Sequence, residues 1–241
     1  LKLPNLEITI FNTIEFANAK LNADNNCQIF NANSDFRNYD LVIDISVLNY
    51  STFLNRPTQS LAQNTITIRS IHHTEYTRTF NFHKFIKYEN VPENKEDDRT
   101  ENLNFFLQSF FRKTSFREGQ IEILSKALQK RNPIALLPTG AGKSLTYQVA
   151  SLLQAGLIIV IEPIKALMQD QNENLKNVFI DATTYINSTL SAKEKDENTN
   201  KFVNGNYLFA FVSPERFVIN DFRNKIGSVR TRNKNFAFCV I

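Results

Sequence analysis

The sequence predicts an α/β protein built on a parallel sheet, and three observations support this prediction. From residue 102 onward, short apolar runs that fit buried strands alternate with amphipathic runs that fit helices. A glycine-containing loop joins one apolar run, residues 134–137, to a helix that begins near Lys143. Apolar residues make up 42% of the 241-residue chain, which is enough for a packed core.

Residues 102–241 give the clearest order of elements. Strands are predicted where short runs are continuously apolar, at residues 134–137, 157–161, 182–186, 207–212 and 236–241. Helices are predicted at residues 103–111, 117–130, 143–153, 164–177 and 191–202, and from residue 214 onward. In an open parallel sheet of this kind, ligands bind at the carboxyl ends of the strands.

The preceding residues are predicted to form a separate, smaller α/β domain. Strand-like runs occur at residues 6–11, 27–30, 41–45, 65–71 and 79–85, with a helix at 13–21. The polar stretch at residues 91–101 carries five acidic and two basic side chains, as is typical of a linker. We therefore expect a domain at residues 1–90, a linker at 91–101 and a second domain at 102–241. Residues 1–90 show no chemical motif, and a protein partner is one role open to them.

Charge and cysteine content narrow the class of protein. Residues 1–90 carry eight basic and eight acidic side chains, whereas residues 102–241 carry eighteen basic and eleven acidic ones. The basic excess permits a polyanionic partner. Cys27 and Cys239 form no Cys-x-x-Cys pair, which favours a reducing, intracellular compartment. No apolar run approaches the length of a membrane span, so no membrane partner is expected.

Residues 137–144 (LPTGAGKS) are typical of a phosphate-binding loop. Glycines in the loop let successive N–H groups turn toward an anion, and the positive end of the following helix adds to the same field. Lys143 would reach the β- and γ-phosphates of a nucleotide, and the Ser144 hydroxyl would ligate Mg²⁺. The strict consensus places Gly where this chain has Leu137. The candidate phosphate-binding residues are Thr139, Gly140, Ala141, Gly142, Lys143 and Ser144, the last two also being the catalytic candidates.

One helix upstream, Arg117 and Gln120 are candidates for recognising a base. The Gln120 amide could bond the donor and acceptor edge of adenine, and the Arg117 guanidinium could stack on the ring. Taken alone, these residues are better explained by a solvated Gln at a helix start.

Polar residues also follow three predicted strands, in segments 162–171, 187–191 and 213–216. Their Ser, Thr, Asn, Lys and Arg side chains are the types that contact a nucleic-acid backbone. The same residue types are common in helix caps and turns, so each segment alone is ambiguous.

Together these segments resemble the RecQ family of superfamily 2 DNA helicases. Residues 116–120, 137–148, 163–171 and 212–216 are similar, in order, to motif 0, motif I, motif Ia and the later Pro-Glu motif of that family. The resemblance covers about residues 103–241. It implies an incomplete RecA-like domain with helices on both faces of its sheet, ATP hydrolysis with Mg²⁺, and strand separation with 3′ to 5′ translocation.

The resemblance also implies roles for single residues. Arg117 and Gln120 would select adenine, and residues 139–144 would hold the phosphates and Mg²⁺. Single-stranded or partly duplex DNA would be contacted by Pro163, Lys165, Gln171, Ser213 and Arg216.

The chain departs from the family pattern at three places. Arg112 and Lys113 stand where the family often has Gly followed by an aromatic residue or His, and Glu162 replaces a small polar residue. The sequence ends at Ile241, where the family continues into an Asp-Glu-Ala-His motif, so we expect residues 1–241 to bind ATP without hydrolysing it. Two alternatives remain: a P-loop ATPase that remodels nucleic acid or protein without unwinding, and a partner-binding module in which the ATPase is secondary.

Overall fold

The structure is a computed structural model, and it describes residues 9–11, 42–44, 64–67, 81–82, 85–88, 100–138, 140–178, 180–232 and 235–241. The chain divides into two compact units. One comprises residues 1–6 and 86–154, and the other comprises residues 7–85 and 155–241. The phosphate loop belongs to the first unit and the predicted DNA contacts to the second. No helix among the described residues is long and apolar enough to cross a membrane.

Among the residues that the structure describes, the first unit contains three helices, and each buries part of its surface. Helix α1 (Thr100–Phe111) has buried side chains at Leu103, Phe106, Leu107, Phe110 and Phe111. Helix α2 (Gln120–Leu128) buries Leu124 and Leu128 and packs against helix α3 (Lys143–Leu152). Spacings of three and four residues place such side chains on one face of a helix, which is why the apolar pattern predicted these elements.

A hydrogen-bonded clip attaches residues 86–88 to the end of α3. The buried Gln154 side chain accepts a hydrogen bond from the Ile86 N–H at 2.8 Å and donates one to the Ile86 carbonyl at 3.0 Å. The Tyr88 hydroxyl donates to the Leu153 carbonyl. One amide therefore satisfies both backbone groups of Ile86, as a buried segment outside a sheet requires.

The described residues of the second unit form two four-stranded sheets. The first has strands β1 (Thr9–Phe11), β2 (Val42–Asp44), β3 (Asn64–Thr67) and β4 (Asn81–Phe82), in that order. Strands β1 to β3 are parallel, with Ile10 opposite Ile43 and Ile43 opposite Ile66, and β4 is antiparallel to β3. Four predicted strand segments are thereby confirmed in part. The predicted strand at 27–30 and helix at 13–21 lie outside the described residues.

The second sheet confirms the predicted parallel α/β architecture. It contains β5 (Leu157–Ile161), β6 (Thr183–Ile186), β7 (Phe209–Val212) and β8 (Phe236–Val240), in the order β6-β7-β5-β8, and every pair is parallel. Residues 157–160 and 209–212 are buried without alternation. Continuous burial is expected for the inner strands of a parallel sheet, because helices cover both faces.

Helical segments connect the strands of this sheet. Helix α4 (Lys165–Asn177) joins β5 to β6, and helix α5 (Ala192–Val203) joins β6 to β7. A capping box starts α5: the Ser191 hydroxyl accepts from the Glu194 N–H at 3.2 Å, and the Glu194 carboxylate accepts from the Ser191 N–H at 2.7 Å. After β7 come a 3₁₀ turn (Pro214–Val218), helix α6 (Asn220–Gly227) and a short 3₁₀ turn (Arg230–Arg232). The helix predicted from residue 214 therefore becomes α-helical only at Asn220.

The predicted strand at residues 134–137 is wrong. Residues 131–138 form neither helix nor strand, and Ile134 and Leu136 are each 92% exposed. A strand is stabilised by hydrogen bonds and side-chain pairs with a neighbour, and no described strand pairs with this segment. Four apolar residues satisfy the local strand pattern, but that pattern carries no information about a partner. The phosphate loop therefore follows an irregular segment and not a sheet strand.

The helix predicted at residues 117–130 is shorter than expected, because α2 begins only at Gln120. Gly119 has a left-handed φ of +80°, and the Gln120 N–H donates to the Arg117 carbonyl at 3.1 Å, which closes a turn before the helix. Helix α1 begins at Thr100, inside the predicted linker. The domain limits at 1–90, 91–101 and 102–241 stay a prediction.

Candidate nucleotide-binding site and nucleic-acid interface

The phosphate loop turns sharply into α3. The Ala141 N–H donates to the Pro138 carbonyl at 3.2 Å, and Gly140 and Gly142 have φ values of +80° and +79°. Both values lie in the left-handed region, which glycine adopts without side-chain strain. Gly142 is the N-cap, and Lys143 is the first residue of α3. The loop therefore delivers Lys143 to the start of a helix, as the sequence predicted.

The start of α3 has the chemistry of an anion site. The Lys143 side chain is exposed, and Ser144 beside it is half-buried. The N–H groups in the first turn of a helix have no acceptor within the helix, and the helix dipole is positive at this end. A phosphate placed here would meet these N–H groups and the Lys143 ammonium group. Thr139 lies outside the described residues.

Two residues at the start of α2 contact the loop. The Gln120 amide nitrogen donates to the Ala141 carbonyl at 2.8 Å and to the Gly142 carbonyl at 3.1 Å, and its oxygen accepts from the Arg117 N–H at 2.8 Å. The Arg117 guanidinium donates to the Gly140 carbonyl. The structure thus brings both candidate adenine contacts to the phosphate loop. Their role in selecting adenine stays a prediction.

In the second unit, three strands end at the same level of the sheet. Ile161 of β5 lies opposite Val212 of β7, and Val212 lies opposite Ile186 of β6. Because these strands are parallel, the segments that follow them share the carboxyl edge of the sheet, where ligands bind in such folds. The predicted DNA contacts lie in two of these segments, at Pro163, Lys165, Gln171, Ser213 and Arg216.

These predicted contacts differ in exposure. Pro163 and Lys165 are exposed, Gln171 is half-buried and Ser213 is fully buried. The guanidinium carbon of Arg216 lies 5.4 Å from the centre of the Phe222 ring, which is a cation–π contact. Pro163 and Lys165 are therefore open to a polyanion as they stand. Ser213 is shielded by burial, and the Arg216 guanidinium already packs on the Phe222 ring.

A carboxylate lies among the basic residues of this edge. The pKa of Glu215 is lowered, first by its own backbone N–H, then by the Ser213 hydroxyl, and further by the positive charges of Lys165 and Arg216. The Ser213 hydroxyl forms no hydrogen bond of standard geometry, so we attribute its effect to proximity. Glu215 is therefore ionised at neutral pH and offsets part of the positive charge around Lys165.

Arg216 also lines a pocket between α5 and α6. In this pocket the Lys225 ammonium group pairs with Asp196, and with Asp221 at 3.1 Å. The hydrogen bond with Asp196 raises the pKa of Lys225, and the same bond lowers the pKa of Asp196. Two carboxylates thus neutralise Lys225. The ion pairs in this pocket therefore link α5 to α6, and Lys225 does not form a second anion site there.

The roles of two residues at the carboxyl edge were not apparent from the sequence. The buried Asn187 oxygen accepts from the Thr189 N–H at 2.9 Å and from the Thr189 hydroxyl at 2.6 Å. The Glu162 carboxylate accepts from the Ile164 N–H at 3.0 Å. Bonds of this kind, from a side chain to the backbone two residues later, hold the turns after β6 and β5. In the sequence, the feature that could have indicated these roles was a polar residue directly after each apolar strand.

Comparison with known proteins decides the family. The sequence pattern of the DEAD/DEAH box helicase family matches residues 117–241, which is more than half of the chain. The chain belongs to the DEAD/DEAH box helicase family. The match begins at Arg117. It therefore includes the two residues that contact the phosphate loop, which are Arg117 in the turn before α2 and Gln120 at the start of α2. It also includes the three strand ends that meet at the carboxyl edge.

Individual relatives of this DEAD/DEAH box chain confirm the resemblance to RecQ. An ATP-dependent DNA helicase RecQ from Haemophilus influenzae is 37% identical over 116 residues, which cover 48% of this chain and 19% of the relative. The RecQ of Bacillus subtilis is 38% identical over 117 residues, which cover 48% of this chain and 20% of the relative. The ATP-dependent helicase SGS1 from Saccharomyces cerevisiae is 35% identical over 120 residues, which cover 48% of this chain and 8% of the relative. The chain therefore spans at most about a fifth of the length of these relatives.

Proposed function

We propose that this chain is the nucleotide-binding part of an ATP-dependent DNA helicase, in which ATP hydrolysis drives strand separation. The observation that carries the proposal is the geometry of the loop. Two left-handed glycines place Lys143 at the N-terminus of α3, where an anion meets both the helix and a cation. The RecQ relatives, whose names describe ATP-dependent DNA helicases, support the class of reaction.

Lys143 and Ser144 would act directly on the nucleotide. Lys143 would neutralise charge on the β- and γ-phosphates, and the Ser144 hydroxyl is the type of oxygen ligand that Mg²⁺ prefers. Ser144 fits this role because it lies in the first turn of α3, next to Lys143. Among the described residues, no group of three or more His, Cys, Asp or Glu side chains is placed to hold a metal. A bound Mg²⁺ would withdraw charge from the transferred phosphoryl group.

The carboxyl edge of the second sheet would contact DNA. Pro163 and Lys165 are exposed there, and residues 102–241 carry eighteen basic against eleven acidic side chains. A backbone-tracking site needs cations at open positions, because phosphate contacts supply most of the affinity for single strands. We expect Lys165 to contribute more than Arg216, whose guanidinium already packs on Phe222. Gln171 would contribute through a hydrogen bond, whereas Ser213 is fully buried and is not expected to reach the DNA.

The test is a titration with a fluorescent ATP analogue in the presence of Mg²⁺. Lys143→Ala should weaken binding about tenfold to a hundredfold, because a charge-assisted contact to phosphate is lost. Lys126→Ala is the matched control, since Lys126 is an exposed lysine in the last turn of α2 and should leave affinity unchanged. Equal affinities for Lys143→Ala and the unmodified chain would contradict the proposal.

A strand-separation assay distinguishes a helicase from an ATPase that only remodels its partner. The substrate is a partly duplex DNA with a single-stranded tail, and the enzyme is the complete protein that contains residues 1–241. Unwinding that requires ATP and is lost in Lys143→Ala supports the helicase. ATP hydrolysis without any unwinding would favour the remodelling ATPase.

A further inference from the structure

The end of α3 presents polar groups that a second segment of the chain satisfies. Leu153 is the C-cap of this helix, and the carbonyls in the last turn of a helix have no N–H partner within the helix. The Tyr88 hydroxyl donates to the Leu153 carbonyl. The Gln154 side chain, which is 0% exposed, bonds to Ile86. We call Leu153 and Gln154 the α3 end site, and residues 86–88 the strap.

The Gln154 amide recognises main chain and not side chain. Its oxygen accepts from the Ile86 N–H at 2.8 Å, and its nitrogen donates to the Ile86 carbonyl at 3.0 Å. In an antiparallel sheet, a residue of the neighbouring strand bonds both backbone groups of one residue in the same way. A side-chain amide has the acceptor and the donors that are needed to take the place of that strand. The α3 end site therefore fits a peptide with an extended backbone.

Side chains two residues apart give the site its selectivity. Ile86 is 5% exposed and Tyr88 is 7% exposed, whereas Lys87 between them is exposed. Alternate side chains of an extended segment point to opposite faces, so one face of the strap is buried and the other is open. Tyrosine supplies an aromatic ring together with a hydroxyl donor for the Leu153 carbonyl. Main-chain bonds combined with selection of alternate side chains are a general mode of peptide recognition, and the pattern here is Ile-x-Tyr.

The strap is held by fewer interactions than the helix it contacts. Residues 85–88 form neither helix nor strand. Both backbone groups of Ile86 depend on one side chain, whereas Val149 and Leu152 of α3 are 0% exposed in the core. Segments with few hydrogen bonds open locally at a lower free energy than the core. We therefore expect the strap to open before α3 unfolds.

We propose that the α3 end site is a docking site for an extended Ile-x-Tyr peptide, and that the strap of this same chain occupies it as a releasable ligand. The strap and α1 both belong to the unit that contains residues 86–154. When the strap is docked, residues 89–99 connect two points of that one unit. The chain is then fastened to the unit that carries the phosphate loop ahead of the predicted linker, and not after it.

Native-state hydrogen exchange, followed by NMR on residues 1–241, tests whether the strap opens by itself. The Ile86 amide should exchange faster than the Leu152 amide, and low urea concentrations should hardly change its rate, because local opening exposes little surface. The Leu152 amide should instead follow the urea dependence of complete unfolding. Identical rates and urea dependence for the two amides would show that the strap is a fixed part of the core, and the inference would be wrong.

Removing the Gln154 amide should loosen the strap. Gln154→Ala deletes both bonds to Ile86 and should speed exchange of the Ile86 amide about tenfold to a hundredfold. Gln129→Ala is the matched control, since the Gln129 amide donates to the Ser125 hydroxyl at the end of α2 and its loss should leave the Ile86 amide unchanged. An Ile86 amide that exchanges equally slowly in Gln154→Ala would overturn the site.

A peptide supplied in trans tests the site directly. Ile86→Asp combined with Tyr88→Asp should empty the site, because charged groups replace two buried side chains. A fluorescent peptide with the sequence of residues 83–90 (HKFIKYEN) should bind this double variant more tightly than the unmodified chain, where the strap competes. Binding should disappear when Gln154→Ala is added. A peptide that carries Tyr88→Phe should bind about fivefold to tenfold more weakly, because one hydrogen bond is lost.

Circular dichroism melting verifies that the double variant is folded. Failure of the peptide to bind the folded double variant would overturn the docking site, and binding that survives Gln154→Ala would do the same by showing capture on a different surface. If the double variant does not fold, the exchange rates of the Ile86 and Leu152 amides in the unmodified chain decide alone. None of these measurements involves a nucleotide, so they test the docking site independently of the proposed function.

Discussion

Replacing Gly142 by alanine should destabilise the phosphate-loop unit by about 3 kcal/mol, whereas the same change at Gly140 should cost about 1 kcal/mol. The two glycines form a matched pair, with φ values of +79° and +80°. An alanine held in the left-handed region costs on the order of 1 kcal/mol at either position. The backbone penalty therefore cancels in the comparison.

The difference between the two variants comes from Gln120. A Cβ at position 142 would lie 2.6 Å from the Gln120 amide nitrogen, so the amide has to move. Its hydrogen bonds to the Ala141 and Gly142 carbonyls are then weakened or lost. Each such bond is worth about 1 kcal/mol net, which adds roughly 2 kcal/mol for the pair.

Urea denaturation followed by circular dichroism measures both free energies of unfolding. A double-mutant cycle isolates the cause: in a Gln120→Ala background no amide is present, so Gly142→Ala and Gly140→Ala should differ by less than about 0.5 kcal/mol. Equal effects of the two alanines in the unmodified chain would refute the reasoning. So would a difference that persists without the Gln120 amide.

Three further predictions concern stability, DNA binding and turnover. Gln154→Leu should lower the free energy of unfolding by about 2–4 kcal/mol in urea, because both backbone groups of Ile86 lose their partner, whereas Gln129→Leu should cost under about 1 kcal/mol. Lys165→Ala should reduce the salt dependence of single-stranded DNA binding, measured by fluorescence anisotropy, by about 0.7 in slope, and Lys176→Ala at the other end of α4 should not. Residues 1–241 should bind Mg²⁺·ATP without releasing phosphate, and DNA-stimulated phosphate release by this chain would contradict that expectation.

The order of elements in residues 102–241 was largely predictable because it depends on local patterns. The strand at Leu157–Ile161 was predicted to the residue, and the helix at Lys165–Asn177 to within one residue. Continuous apolar runs and helical periodicity are properties of a few consecutive residues, and burial follows from them. The capped start of α5 was likewise predictable, because Ser191 and Glu194 have the spacing of a capping box.

The irregular segment at residues 131–138 could not be predicted in this way. Ile134 and Leu136 have the composition of a buried strand yet are each 92% exposed. Strand formation depends on a partner that lies far away in sequence. The late start of α2 also escaped prediction, since Arg117 and Gln120 both fit a helix and only the turn at Gly119 separates them.

The candidate site shows the same division. The sequence predicted the phosphate loop, because glycines followed by Lys and Ser at the start of a helix are typical of phosphate binding. It also singled out Arg117 and Gln120, and predicted that they recognise the base of a nucleotide. The structure shows that both residues contact the loop, at the carbonyls of residues 140–142, and their role in recognising a base stays a prediction. A motif specifies which hydrogen-bonding groups are available, but it does not specify which partner each group bonds.

The sequence by itself therefore determined the family and most of the succession of strands and helices, and it predicted the chemistry of the loop. The tertiary structure alone decided the strand order β6-β7-β5-β8, the common level at which Ile161, Val212 and Ile186 end, and the contact of Gln120 with the loop carbonyls. The physical reason is the range of the interactions. Periodicity and turn chemistry act over a few residues, whereas a buried amide or a strand edge must be satisfied by whatever group the fold brings beside it.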